Sequence, residues 1–281
     1  MWNSLTEQAH KDHTLPKDLT VKTIMDTWTL QMGYPVLTVK REYDGVGKAT
    51  VSQQRFLLSK TDDNSDKHDY KWWIPITFAT PGGNFNKTKN TVWMSNKQES
   101  ISVGSTDWPD SKTALVFNVQ QNGYYRVNYD TENWKLIIKQ LNEDHTKIHV
   151  INRAQIIDDA LNLARAGMLS YEIALQVTSY LGNEAEYIPW AAALKGLDYI
   201  KNMLQHTPAY GSFKIFINKL VEPIYNKLGY KSNPSAKPLD IFLHKLILQW
   251  ACNVGETNCN LKVKEQFTMW MKESDPEGSK L

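Results

Sequence analysis

The sequence is short of cysteine, of net charge and of long apolar runs, and each shortage closes a class of function. Two cysteines, Cys252 and Cys259, among 281 residues exclude a disulfide-built scaffold, and their Cys-x6-Cys spacing fits none of the usual zinc-finger patterns. On spacing alone two readings of the pair stand. One is a local bridge across a turn at Gly255, which suits an oxidising compartment; the other is two separate buried thiols. Lys and Arg number 32 against 30 Asp and Glu, and they are interspersed along the whole length, so the clustered basic footprint of a nucleic-acid binder is missing. No apolar run approaches the ~20 residues that cross a bilayer. The longest candidate, 241–252, is interrupted by His244, Lys245 and Gln249. The N-terminal residues lack the basic start and apolar core of a secretory signal, so an export signal is not expected within this stretch.

What is present is a change of period. Before about residue 130 the apolar residues alternate in short runs at 36–39, 49–58, 71–79, 91–94, 100–103, 113–119 and 124–127, rich in β-branched and aromatic types. Turn residues at Asp44-Gly45, Asp62-Asp63-Asn64, Pro81-Gly82-Gly83 and Asn122-Gly123 punctuate them. This predicts a small antiparallel β-sandwich. Trp72, Trp73, Trp93 and Trp108 are expected to pack in its core and edges. Two short helices precede it. One carries Leu5 and Ala9; the other is capped by Asp18 or Thr20 and carries Val21, Ile24, Met25, Trp28 and Met32.

After Asp130 the spacing becomes helical. Asp130 is placed to cap a helix with Trp134, Ile137, Ile138 and Leu141, and Asn152 with Gln155 reads as the capping box of the next. Helices are then expected from Ser170 to about 181, and over 189–205, 210–228, 239–251 and 260–272. Short connections suggest antiparallel pairs stacked as an α-solenoid, although no crisp repeat is visible.

The candidates for chemistry are few. Of seven histidines only His145 and His149 stand at i and i+4, and the intervening Thr-Lys-Ile supplies no general base. His10 and His13 are expected to face solvent. There is no Gly-x-Ser-x-Gly and no phosphate-binding loop. Asp158 and Asp159 are adjacent on a helix and so point about 100° apart, which predicts a solvated face or a helix–helix salt bridge rather than a shared ligand. Catalytic, metal-ligating and substrate-binding residues are assigned to none of these positions.

Longer stretches carry a resemblance. The run Gly123-Tyr-Tyr-Arg-Val-Asn-Tyr-Asp130, Trp134, the run Ile151-Asn-Arg-Ala-Gln-Ile-Ile-Asp-Asp-Ala160 and Glu186-Tyr-Ile-Pro-Trp190 resemble the junction and early helices of the M1 zinc aminopeptidases, the aminopeptidase N type. Thr27-Trp-Thr-Leu-Gln-Met-Gly-Tyr-Pro-Val36 resembles the passage of that family that leaves the catalytic domain, and the residues from Ala251 to Cys259 are similar to its small disulfide loop.

The resemblance implies an α+β multidomain fold. Residues 1–33 would be terminal helices of a thermolysin-like catalytic domain, 34–129 the β-sandwich, and 130–281 part of a HEAT-like helical domain that arches over the active site. It implies a full-length parent that removes N-terminal residues from peptides, with zinc-bound water as nucleophile, a Glu as base and a Tyr at the oxyanion. None of those elements matches a position here, so zinc is expected in the parent and no cofactor in this chain. The implied partners are the parent's catalytic domain and its peptide substrate. Cys252 is then expected to bridge Cys259, Asn86 in the triplet Asn86-Lys87-Thr88 to carry a glycan, and the protein to be extracellular or at the cell surface. Arg126 is expected in a buried hydrogen-bonding role. The chain is expected to begin in the last helices of the catalytic domain and to stop midway through the helical one. The alternative is a genuine short, non-catalytic binding or scaffold protein that uses the solenoid surface.

Overall fold

Strands form where β-branched and aromatic residues alternate, and helices where the apolar period lengthens, so strand and helix separate along the chain. The computed structural model describes residues 1–44, 47–59, 70–89, 92–104 and 111–272. Gly45, the turn at 62–64, His68, Trp108 and the polar ending at 273–281 lie outside the described residues. Two compact units divide the chain, Met1–Val177 and Thr178–Leu281, and each is described by itself.

The first unit opens with helices α1 (Trp2–Lys11) and α2 (Val21–Thr29), the latter capped by Thr20, whose side chain accepts from the Thr23 amide. Leu15, Leu19 and Ile24 form a small cluster between them. α1 itself buries no residue, and Leu5 stays exposed. His10 does not face solvent as its position suggested: its Nε2 lies 3.1 Å from the Pro16 carbonyl and 2.9 Å from that of Leu19, fastening the loop after α1. α2 is tied to the strands, since Trp28 Nε1 donates to the Trp73 carbonyl and the Trp73 amide donates to Thr27 Oγ1.

The strands are β1 (Pro35–Arg41), β2 (Lys48–Arg55), β3 (Ile74–Ile76), β4 (Phe78–Ala79), β5 (Val92–Met94), β6 (Ser100–Gly104), β7 (Val116–Phe117) and β8 (Arg126–Tyr129). They make a four-stranded sheet in the order β6-β2-β1-β8 and two short ladders, β3 with β5 and β4 with β7. The expected run at 71–79 splits at Thr77, whose carbonyl and Oγ1 accept from the amides of Asn118 and Val119. The sheet is not wholly antiparallel: β8 returns beside β1 in parallel, Val36 opposite Arg126. The return is held past the strand end, where the Asp130 amide donates to the Val39 carbonyl and the Arg41 amide to Asp130 Oδ2. Trp72 is fully buried, and the partly buried Trp73 and Trp93 meet edge to face with ring centroids 6.4 Å apart.

Helices α3 (Thr131–Asp144), α4 (Val150–Arg165) and α5 (Tyr171–Val177) complete this unit. Asp130 caps α3 by accepting from the Asn133 amide at 2.9 Å. Trp134 and Ile137 are fully buried, each such side chain stabilising by roughly 1.5–3 kcal/mol. The cap of α4 is His149 rather than Asn152, because α4 starts earlier than the capping box suggested and Asn152 lies inside its first turn, fully buried. α5 is shorter than expected; residues 179–183 form a separate 3-10 turn.

The second unit holds α6 (Tyr187–Leu204), α7 (Tyr210–Leu228), α8 (Pro238–Val254) and α9 (Thr257–Trp270). Trp190, Leu197, Ile217, Val221 and Ile247 lie in its core. The buried Glu184 organises the start of α6: Oε1 accepts from the amides of Ala185 and Glu186, Oε2 pairs with Tyr180, and the Glu184 carbonyl accepts from Trp190 Nε1. α8 ends at Gly255, whose φ of +90° gives the turn a left-handed residue that suits glycine. The described residues thus form a mixed α and β structure in which two helices precede small sheets and further helices follow them.

Candidate functional site

The site grows from the turn at 118–123 that precedes β8. Its backbone takes the left-handed region at three non-glycine residues, Asn118, Gln120 and Gln121, with φ of 62°, 52° and 52°. Such conformations persist only where surrounding bonds hold them. Here Asn118 Nδ2 donates to the carbonyls of Gly123 and Tyr125 while its Oδ1 accepts from the Gly123 amide. Gly123 is required for a second reason: a Cβ there would stand 2.2 Å from the Tyr125 ring. Tyr125 in turn donates its hydroxyl to the Pro75 carbonyl.

α4 meets this turn with polar side chains. Asn152 Oδ1 accepts from the Gln120 amide at 2.7 Å, and Asn152 Nδ2 reaches the Asn118 carbonyl and Gln155 Oε1. Gln155 Nε2 donates to Asp159 Oδ2, which also accepts from the Val127 amide at 3.0 Å. Arg126 closes the chain of contacts. Its Nη1 lies 2.6 Å from Asp158 Oδ2 and 2.9 Å from Asp159 Oδ1, and its Nε donates to the Tyr34 hydroxyl at 3.2 Å. The guanidinium carbon also sits 5.0 Å from the centre of the Phe56 ring. The adjacent aspartates therefore do share a partner, against the expectation from their helical angle. Arg126 comes from β8, which packs against α4, and one of its nitrogens bonds both side chains.

Two carboxylates against one cation set the electrostatics. Burial pushes Asp159 up to about 7, although Arg126 and the Val127 amide both pull it down. Burial pulls the Arg126 guanidinium down, but Asp159 and Asp158 together outweigh it and hold it above the ordinary arginine value. The same ion pair thus raises the base and lowers the acid, and in Asp159 burial wins. Beside this cluster lies a cleft of about 380 Å³ whose walls include Tyr34, Tyr124, Arg126, Asp158 and Asp159. No hydroxyl or thiol in it is set against a base as a nucleophile would be. The arrangement can hold charge and fix the 118–123 turn on α4.

The remaining sequence candidates are dispersed. His145 lies in a short 3-10 turn, and His149 spends Nδ1 on the Ile151 amide while its ring stacks on Phe85. Among the described residues no group of three or more His, Cys, Asp or Glu is placed to hold a metal ion, so the residues described do not fit a zinc centre. Cys252 and Cys259 form a disulfide between α8 and α9, with Cα atoms 5.2 Å apart. Asn86 is exposed, and its Oδ1 accepts from Gln120 Nε2 at 3.2 Å. Sequence reading missed Asn118 and Glu184 as organisers and gave Gln155 a capping role in place of its link to Asp159. Their only signal is polarity beside apolar neighbours, which is also the signal of a turn or a cap.

Known proteins place these features in a family. A family model described as ERAP1-like C-terminal domain matches residues 114–280, more than half the chain. Aminopeptidase Ey of Gallus gallus is 36% identical over 280 residues, covering 96% of this chain and 27% of that protein. Aminopeptidase N of Homo sapiens is 34% identical over 282 residues, covering 97% and 27% respectively. The thyrotropin-releasing hormone-degrading ectoenzyme of Rattus norvegicus is 32% identical over 281 residues, covering 96% and 26%. This chain spans about a quarter of the length of these relatives. With its 118–123 turn, its Arg126–aspartate cluster and its bridged α8–α9 turn inside the matched region, the chain belongs to the ERAP1-like C-terminal domain family and corresponds to the C-terminal part of the M1 aminopeptidases.

Proposed function

We propose that this chain is the non-catalytic C-terminal portion of a zinc metalloaminopeptidase whose whole protein removes N-terminal residues from peptides. The observation that carries the reading is the similarity to proteins named aminopeptidases along 96% of the chain. On this reading residues 1–33 are the terminal helices of a thermolysin-like catalytic domain, 34–129 a β-sandwich domain, and 130–281 part of a HEAT-like helical solenoid that covers the active site. Zinc belongs to the parent's catalytic domain. This portion's task is to support that domain and to bound the space the peptide enters.

The same reading places the protein outside the cell or on its surface, where the Cys252–Cys259 bridge is stable and Asn86 is accessible to a glycan. The test is a pair of measurements on the 281-residue chain: zinc stoichiometry, and hydrolysis of an aminoacyl chromogenic amide. Neither bound zinc nor hydrolysis is expected, and both are expected when the chain is expressed with the upstream coding sequence. Stoichiometric zinc or turnover by the chain alone overturns the non-catalytic assignment. An upstream reading frame without a His-Glu-x-x-His motif overturns the parentage.

A further inference from the structure

We propose that Asn122 is a deamidation site that the turn at 118–123 holds shut, so that its side-chain amide is lost only when the turn opens. Asn122 precedes Gly123, and no other asparagine in the chain precedes a glycine. Glycine has no Cβ to shield its amide nitrogen, so this pair is the one in the sequence most open to attack of the backbone on the side chain. The side chain is also exposed to water. In the reaction the Gly123 nitrogen gives up its proton and bonds to Asn122 Cγ, the Cγ–Nδ2 bond breaks, and Nδ2 leaves with that proton as ammonia. Water then adds to either carbonyl of the cyclic imide and opens it to aspartate or isoaspartate. No electron donor or acceptor takes part.

The folded turn denies the nitrogen its line of attack. The Gly123 amide donates to Asn118 Oδ1 at 2.8 Å, which fixes the peptide plane and commits the proton to Asn118 rather than to water. Asn122 has φ −69° and ψ −26°. The imide needs the following nitrogen nearly eclipsed with Cβ of residue 122, and at this ψ it stands well out of that plane. Turning the peptide breaks the Asn118 bond and moves Gly123 on the Tyr125 ring, which lies so close that a Cβ on Gly123 would stand 2.2 Å from it. That ring does not yield, since Tyr125 is buried and its hydroxyl is tied to the Pro75 carbonyl. The Asn122 side chain is held loosely, its Nδ2 reaching the Thr88 carbonyl only at 3.5 Å, so the lock lies in the backbone. Conversion is one-way. Isoaspartate adds a backbone carbon between residues 122 and 123, where Asn118 binds both the amide and the carbonyl of Gly123, and either product adds a carboxylate to the cleft wall that holds Asp158 and Asp159.

The test incubates the 281-residue chain at mildly alkaline pH, folded and in urea, and follows residue 122 by peptide mapping with mass spectrometry. Conversion is expected to be at least about tenfold slower in the folded protein, because only the fraction with an open turn reacts. Asn118→Ala, with its folded state checked by tryptophan fluorescence, is expected to bring the rate towards that of the denatured chain. Where that variant does not fold, hydrogen exchange of the wild-type Gly123 amide takes its place, and protection is expected. Equal conversion of folded and denatured wild type, undiminished protection in folded Asn118→Ala, or an unprotected Gly123 amide overturns the proposal.

Discussion

Helices α4 and α9 are of similar length, and both carry apolar residues at helical spacing, yet opposite means hold them. α4 buries eleven of its 16 residues, among them Asn152, Arg153, Gln155 and Asp159. α9 buries one of its 14, Cys259, and leaves Leu261, Val263, Phe267 and Met269 exposed. What α9 lacks in burial it replaces with a covalent link and local bonds. Glu256 caps it by accepting from the amides of Asn258 and Cys259, Tyr230 donates to Gln266 Oε1 at 2.7 Å, and the disulfide ties its first turn to α8. The difference teaches that a helical stripe in sequence gives no measure of how firmly the helix is held. Buried polar partners locate α4, whereas a cross-link locates α9.

The comparison breaks first at Arg126. Arg126→Met strands Asp159 without its cation, and removing one partner of a buried pair costs about 3–5 kcal/mol. Urea unfolding followed by tryptophan fluorescence should show that loss; a cost within the ordinary surface range would mean that the cluster does not locate α4. Next in size is the bridge. Replacing both Cys252 and Cys259 by Ser is expected to cost about 2–3 kcal/mol for so short a loop. Hydrogen exchange should rise across 257–270 and stay unchanged in α4, and a uniform rise in both helices would contradict the contrast.

The pH dependence sharpens the α4 side. Asp159 sits above its ordinary value when folded, so the folded protein holds an extra proton between about pH 4 and about pH 7. Its contribution to stability is therefore complete below that window and is lost as pH rises through it. Stability measured relative to Asp159→Asn should fall across the window, and a flat or rising difference refutes the assignment. The smallest effect belongs to the exposed face of α9. Phe267→Ser should change stability by no more than about 0.5 kcal/mol, as measured by the same unfolding curves.

Much of this was legible in the sequence because it rests on local chemistry. The helices at 131–144 and 210–228, the Asp130 cap and the handover from strands to helices follow from spacing and from residues that satisfy neighbours three or four positions away. The site was legible only in pieces. Arg126 takes the hydrogen-bonding role expected of it, whereas the roles of Asp158, Asp159 and Gly123 were misread or left open because their partners come from other residues than their spacing suggests. Asn152 was assigned to a cap because capping and long-range pairing use the same side chain, and burial alone distinguishes the two. The parallel return of β8 was illegible for a related reason: alternation reports which face of a strand is buried and carries nothing about the direction of its neighbour.

By itself the sequence determined the order of the elements, most helix positions, the absence of an apolar run long enough to cross a bilayer and, through its longer motifs, the family. These depend on propensity, period and identity, all of which are read along the chain. Only the tertiary structure decided that Asp158 and Asp159 meet on one arginine, that Asn118 holds a strained turn, and that α4 is buried while α9 is tethered. Those outcomes depend on which surfaces face each other after the chain folds back from residue 126 to residue 36, and side-chain angles on an isolated helix do not contain that information.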